Sequence, residues 1–245
     1  MEFLNEVAAW FVDPANWTGR DAIPVRLAEH VALSGVSLMV GIVLALPLGL
    51  RIGHTRRWAG AVVAITNVGR AVPSVGILGL ALPLTLRLGW GIGVPPTLLA
   101  LTVLAIPPVV VNAYVGIRDV DPDVVEAARG MGMRESEVLR RVEVPIALPV
   151  ILAGIRTASV QVIATATLGA ILSTGGLGRY IVDGFAQHDY PKMFAGALLV
   201  MALALTSEGL FARGQRAAVS PGLRGEPAAH GAGGASPAPA PGFGL

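Results

Sequence analysis

The chain has 245 residues, of which 53% are hydrophobic and only 14% charged, with a formal net charge of +2 and no cysteine. A mean hydropathy of +0.67 is too high, and charge too sparse, for an ordinary soluble domain, so the sequence reads as a membrane protein. Disulfides, thiolate catalysis and thiolate metal sites are excluded. Every cation but Lys192 is an arginine, and these are grouped on short segments, so the basic balance reflects membrane topology rather than nucleic-acid binding.

Residues 1–26 place Trp10, Phe11 and Trp17 among polar residues, a pattern that fits either an interfacial segment on the outer face or an ordered linker. The first long apolar run lies inside the chain, with no small-residue cleavage pattern after a short basic start, so the first span is expected to be its own insertion signal. A bilayer core of ~30 Å requires roughly 20 apolar helical residues. Runs of that kind occupy 29–50, 58–86, 92–117, 147–172 and 192–212. The expectation is an all-α, multi-pass membrane protein with five core transmembrane helices. Arg51, Arg56 and Arg57 follow the first run, Arg118, Arg129, Arg134, Arg140 and Arg141 lie in the central loop, and Arg213, Arg216 and Arg224 follow the last. By the positive-inside rule these segments are cytoplasmic, which puts the N-terminus outside and the C-terminus inside. Among the prolines, Pro95 and Pro96 read as the end of a helix, whereas Pro73, followed by Ser74, reads as a break or kink within the second run.

Between the third and fourth runs, Val124, Val125, Ala128, Met131, Val138, Leu139 and Val142 recur at helical intervals. Glu126, Arg129, Arg134, Glu135, Glu137, Arg140 and Arg141 occupy the other face. This predicts two short amphipathic helices, the first started by Asp121-Pro122-Asp123. Gly130 and Gly132 supply a tight turn between them, and Pro145 ends the second. An amphipathic loop lying on the inner membrane surface has the same composition.

Enzymatic constellations are missing from the sequence. His30, His54, His188 and His230 lack metal-ligand spacing and read as interfacial or loop residues. The glycine-rich Ser173–Gly178 segment lacks the lysine of a nucleotide-binding loop. No cofactor or metal is expected. Arg70 and Arg156 are the charges farthest from the ends of the runs. For Arg156 the expectation is snorkelling to the inner interface, while Arg70 fits both pairing with a helix C-terminus and lining a water-filled cavity. Glu29 and Glu208 are placed near helix ends, which leaves no carboxylate at mid-membrane and argues against a secondary transporter driven by an ion gradient. From 214 to 245 the chain turns Gly-, Ala- and Pro-rich, the composition of a disordered cytoplasmic tail.

One stretch resembles a known motif. Glu126-Ala127-Ala128, then Gly132, then Val142-x-Val144-Pro145 is similar to the EAA loop of ABC importer permeases, the place where a permease meets its ATPase. The wider segments Val115–Met133 and Pro149–Gln161, with Pro73-Ser74 upstream and Gly175–Gly178 downstream, resemble the permeases of osmoprotectant importers. The resemblance covers roughly residues 27–212 and implies a type I importer permease fold. It implies a transmembrane domain over 27–213, with the coupling loop at 118–146. It also implies ATP-driven import of glycine betaine, carnitine, choline or proline, with an amino acid or other small solute as the alternative.

The partners it implies are a cytoplasmic ABC ATPase dimer, a second permease that is either the same chain or a relative, and an extracytoplasmic solute-binding protein, all at the lipid bilayer of the cell membrane. Glu126, Ala127, Ala128, Gly130, Gly132, Met133 and Glu137 are the expected ATPase-coupling residues. Asn67, Pro73, Ser74, Asn112, Gln161 and Thr165 are candidates for the translocation pathway, hydrogen bonding between helices being the other reading of the polar ones. The outer loop Gly175–Asp189, with Tyr180, Phe185 and His188, is expected to dock or gate. Selectivity for a quaternary ammonium is expected in an aromatic cage on the binding protein, because this chain is only 5% aromatic.

Overall fold

A computed structural model describes residues 2–58, 60, 62, 64 and 72–218. Among these the chain is helical throughout: α1 (Glu2–Val12), α2 (Ile23–Thr55), α3 (Ser74–Arg87), α4 (Val94–Arg118), α5 (Pro122–Gly130), α6 (Glu135–Val138), α7 (Val144–Ala166), α8 (Gly178–Gln187) and α9 (Tyr190–Ala218). A π-turn, Leu139–Glu143, joins α6 to α7, and a 3-10 segment, Thr167–Leu172, follows α7. Among the described residues four helical runs are long and apolar enough to cross a membrane: α2, α4, the run from Glu135 to Leu172, and α9. The second expected span is represented by α3, which has 14 residues. The remainder of that span, including Asn67 and Arg70, falls largely outside the described residues.

The seam between α2 and α4 is built from small residues. Gly41, Ala45, Gly49 and Gly53 recur every fourth position, so they form one stripe along α2. A Cβ added at Gly41 would lie 2.7 Å from Ala105 Cβ, one at Gly49 2.7 Å from Ala113 Cβ, and one at Gly53 2.7 Å from Ile117 Cβ. Those separations are possible only without side chains, and they let the two backbones approach closely. α4 meets α7 in the same way at Gly154, where a Cβ would lie 2.8 Å from the Pro108 carbonyl. With α2, α3 and α7 around it, α4 is the best-covered helix of the bundle: half of its apolar window is buried, against 17% for α9. The main core joins Leu33, Leu38 and Ala45 of α2, Leu101, Leu104, Val109 and Val110 of α4, and Ala158 and Val162 of α7.

Several expectations are corrected by the fold. The N-terminal segment carries its own helix, α1, which packs on α9 with Phe3 edge-on to Phe194, and α2 begins at Ile23, before the expected start of the first span. Pro95 and Pro96 do lie in the opening turn of α4, and Pro73 does stand outside the helix, as the extended residue before α3. Pro145, by contrast, does not end a helix. The π-turn ahead of it, where the Val144 N–H reaches Leu139 O, widens the helix where the proline ring would otherwise press on a carbonyl, and the helical run continues from Glu135 to Leu172. The outer loop expected at 175–189 is mostly the helix α8. Helix α9 continues through 214–218, past the expected start of the tail. The rest of the tail lies outside the described residues.

The α2–α4 seam yields a direct expectation. Gly49→Leu should prevent stable accumulation in membranes, and Gly49→Ala should cost about 1–3 kcal/mol through overpacking. Gly35→Ala, where a Cβ meets nothing within 4 Å, should be neutral or slightly stabilising. The amount of Gly49→Leu protein in membranes, and thermal unfolding of the other two detergent-solubilised variants, check this ranking.

Candidate functional site: the central loop

The loop begins at Asp121, whose carboxylate accepts the Asp123 N–H at 2.9 Å and so caps α5. The helix ends in a Schellman closure: Met133 N–H bonds Ala128 O and Gly132 N–H bonds Arg129 O. Gly132 has φ +85, the left-handed region that glycine alone enters without penalty. The Glu137 carboxylate then accepts the Arg134 N–H at 3.0 Å and starts α6. The inner face of the loop is a small core of Val120, Val125, Ala128 and Val138, with Met133, Val142 and Ile146 packed against it.

The expected coupling residues divide between two faces. Ala128 is buried, and Met133 and Glu137 are half-buried, so these three hold the loop in shape. Glu126, Ala127, Gly130 and Gly132 are exposed, and a Cβ at either glycine meets nothing within 4 Å. Val124 and Met131, expected on the apolar face, are instead solvent-facing, Met131 at 73% exposure. Around Gly130–Gly132 the outer face of the loop is thus backbone, small residues and the Met131 side chain, flanked by exposed charges such as Glu126 and Arg134.

Charged groups pin the loop to α2. Arg129 donates twice to Glu135, from Nε at 2.9 Å and from Nη2 at 3.0 Å. This carboxylate holds the Arg129 guanidinium above its ordinary range. His54, at the end of α2, places Nδ1 2.5 Å from Glu143 Oε2 and Nε2 3.2 Å from Glu135 Oε2. Glu143, in the π-turn, has a side chain only 6% exposed. A cavity of about 250 Å³ lies alongside, lined by His54, Arg56, Glu126, Arg129 and Glu143 among others. Reading His54 as a loop residue missed this cluster. The available signal was Glu143, a carboxylate between Val142 and Val144 on an otherwise apolar face.

The Gly175–Gly178 motif finds its partners at the other end of α2. Glu29 Oε2 accepts the Gly176 N–H at 2.7 Å and Arg26 Nη1 at 2.8 Å, and Arg26 also pairs with Asp21. Gly175 lies so close to the Glu29 carboxylate that a side chain there would displace it, and Gly176 has φ +92. His30 is buried with Nε2 2.9 Å from Ile163 O. Tyr180 donates to Asp21 O and meets Trp10 edge-on at 5.2 Å, and its burial raises the hydroxyl to about 12, so it stays a donor.

The pathway candidates are not gathered into one cluster. Asn112 Nδ2 bonds Pro108 O, one turn back in its own helix, at 2.8 Å, and its Cβ abuts Gly154. Gln161 and Thr165 are half-buried on α7, Pro73 is exposed before α3, and Ser74 opens that helix half-buried. Arg156 does not simply snorkel: its Nε lies 3.3 Å from Glu208 Oε1. Glu208 is correspondingly in the interior of α9 rather than near its end.

Residues 37–225 match the family model described as the binding-protein-dependent transport system inner membrane component. The glycine betaine/carnitine/choline transport system permease protein OpuCB of Bacillus subtilis is 34% identical over 200 residues, covering 82% of this chain and 90% of that protein. The osmoprotectant import permease protein OsmW of Salmonella typhimurium is 34% identical over 196 residues, covering 80% and 91%. Among solved structures, a chain of the MetNI methionine ABC transporter in an inward-facing conformation superposes with a TM-score of 0.72 at 25% identity, covering 85% of this chain and 99% of that one.

The two loop glycines should separate by backbone angle. Gly130→Ala, at a helical position with open space, should stabilise the protein by about 0.5–1 kcal/mol. Gly132→Ala should cost about 1–2 kcal/mol for forcing a side chain into the left-handed region. Thermal unfolding of the two purified variants measures both signs.

Proposed function

The chain belongs to the family of binding-protein-dependent transport system inner membrane components, and on that footing we propose that it is the transmembrane permease of an ATP-driven importer of osmoprotectants, of the glycine betaine, carnitine, choline and proline class. The observation that carries the mechanism is the two-faced central loop, locked on its inner face by a core and ion pairs and bare on its outer face around Gly130, Met131 and Gly132. Such a surface suits insertion into a groove of a partner, and the partner is a cytoplasmic ATPase dimer that performs the hydrolysis. The arginine distribution supports the orientation, with the loop and C-terminus in the cytoplasm and the N-terminus outside. Glu126, Ala127, Ala128, Gly130, Gly132, Met133 and Glu137 form or support the joint. The solute class is supported by relatives about 34% identical over four-fifths of the chain, against 25% for the methionine transporter, which sets the amino-acid alternative aside.

The transport cycle is a switch between two packings of rigid elements. Closure of the ATPase dimer draws two docked loops together, the loop of this chain and that of a second permease. Each loop moves its helical bundle, and the pathway between the bundles changes the side to which it opens. An extracytoplasmic binding protein delivers the solute. The Glu29–Gly176 turn and α8, at the end of the bundle away from the coupling loop, are its candidate contact, and Asn67, Ser74, Asn112, Gln161 and Thr165, with the helix break at Pro73, are pathway candidates.

Restoring this chain to a strain that lacks it should restore uptake of radiolabelled glycine betaine at high osmolarity, with unlabelled carnitine and choline competing and methionine not. Competition by methionine alone would overturn the solute assignment. Gly130→Trp should insert and unfold like the wild type yet abolish both uptake and co-purification of the ATPase. Normal uptake by that variant would put the joint elsewhere.

A further inference from the structure

The coupling loop is joined covalently to α4 and α7, whereas α2 reaches it through the His54 side chain. We propose that His54 is the positioning residue of the joint: a strut that makes α2 move with the loop. This rests on the reading of the loop as the ATPase-docking element.

The argument begins with donors and acceptors. Both ring nitrogens of His54 face carboxylate oxygens, Nδ1 that of Glu143 and Nε2 that of Glu135. An ionised carboxylate only accepts, so two of them facing one ring are matched when both nitrogens donate. The groups around it alternate in sign. Glu143 belongs to the π-turn and Glu135 to α6, while Arg129 of α5 closes the far side of Glu135. Arg56 and Glu126 line the same cavity.

Burial adds the second step. The His54 side chain is 13% exposed and that of Glu143 6%, and a buried carboxylate without a partner is strongly disfavoured. Glu143 is therefore held to the end of α2, and Glu135 is shared between α2 and α5. The same ring thus ties two elements of the loop region, the π-turn and α6, to one transmembrane helix, and reaches α5 through the Arg129–Glu135 pair. A displacement of α5 and α6 pulls on α2 directly rather than only through its seam with α4.

The test uses the whole transporter, with its ATPase and binding protein, in proteoliposomes, and reads ATP hydrolysed per glycine betaine imported. His54→Gln should raise that ratio by about 2- to 30-fold, the range in which contacts along a coupled network act, with the amount of assembled complex unchanged. His54→Lys, which places a charge between the two carboxylates, should hold the ratio near wild type. The natural chain contains no cysteine, so a His54→Cys/Glu143→Cys pair bridged by a short bifunctional methanethiosulfonate, which forms a disulfide with each thiol and releases a sulfinate from each end, can replace the strut covalently. That variant should be uncoupled before bridging and recoupled after it. An unchanged ratio in His54→Gln, or a loss of assembled complex with no change in ratio, would show a merely structural residue and overturn the proposal. Should His54→Gln fail to insert, the bridged and unbridged pair decides by the same ratio. A wild-type complex that imports no betaine would instead remove the transport reading on which the strut rests.

Discussion

Close approach of α2 and α4 is the constraint on which the rest of the bundle depends. In lipid, helices gain little from hiding apolar side chains from one another, because the surrounding tails are equally apolar, and association relies on contact at short range. The stripe Gly41, Ala45, Gly49 and Gly53 supplies that contact along α2 and sets its register against Ala105, Ala113 and Ile117. Once α2 is seated, its two ends are fixed in space. At one end His54 is placed where Glu135 and Glu143 can meet it. At the other, Glu29 and His30 are placed where the Gly175-Gly176 turn and the Ile163 carbonyl can meet them. Sites separated by most of the chain are thus positioned by one run of missing side chains.

The polar contacts at the two ends differ in character. The loop end is a chain of ionisable side chains that runs from α2 across the π-turn, α6 and α5, with Glu143 deeply buried and Arg129 at the surface. The opposite end uses a carboxylate to satisfy a backbone N–H, a tyrosine hydroxyl on a carbonyl, and an arginine shared between two acids. Charges in the first arrangement connect helices that lie apart in the fold. Those in the second close the entrance of α2 against the turn before α8. Between them, Arg156 and Glu208 join α7 to α9 inside the apolar runs, an arrangement that reduces the cost of each charge by supplying the other.

How far the sequence was legible depended on the range of the interaction. Local signals were legible in part: Asp121-Pro122-Asp123 as a helix start, Pro95 and Pro96 as a helix end and Pro73 as an interruption follow from backbone chemistry within a few residues, whereas of the two glycines read as the turn only Gly132 takes the left-handed angle and Gly130 is still helical. Pro145 misled, because a proline's clash with the preceding turn is relieved by a π-turn that no local rule announces. The 175–189 segment was read as a loop, although most of it is helix and its glycines serve close approach: Gly175 leaves room for Glu29, Gly178 for the Thr167 backbone and Gly184 for the backbone at Met193. Partnerships such as His54 with Glu143 span 89 residues and leave no local trace beyond a carboxylate on an apolar face. Exposure of Met131 was likewise hidden, since helical periodicity assigns a face but not what covers it.

The uninterrupted helical run from Glu135 to Leu172 has a mechanical meaning. Its 38 residues, at about 1.5 Å each, make a rod on the order of 55 Å long. Near its middle Gly154 lies against Pro108 and Asn112 of α4, with Ala147 and Ile151 packed on one side of that point and Ala158 and Val162 on the other. Had Pro145 broken the helix, a displacement of the loop end would have been absorbed locally. The widened turn that accommodates the proline therefore keeps the loop and the far end of the run on one continuous helix, with Gly154 at its middle.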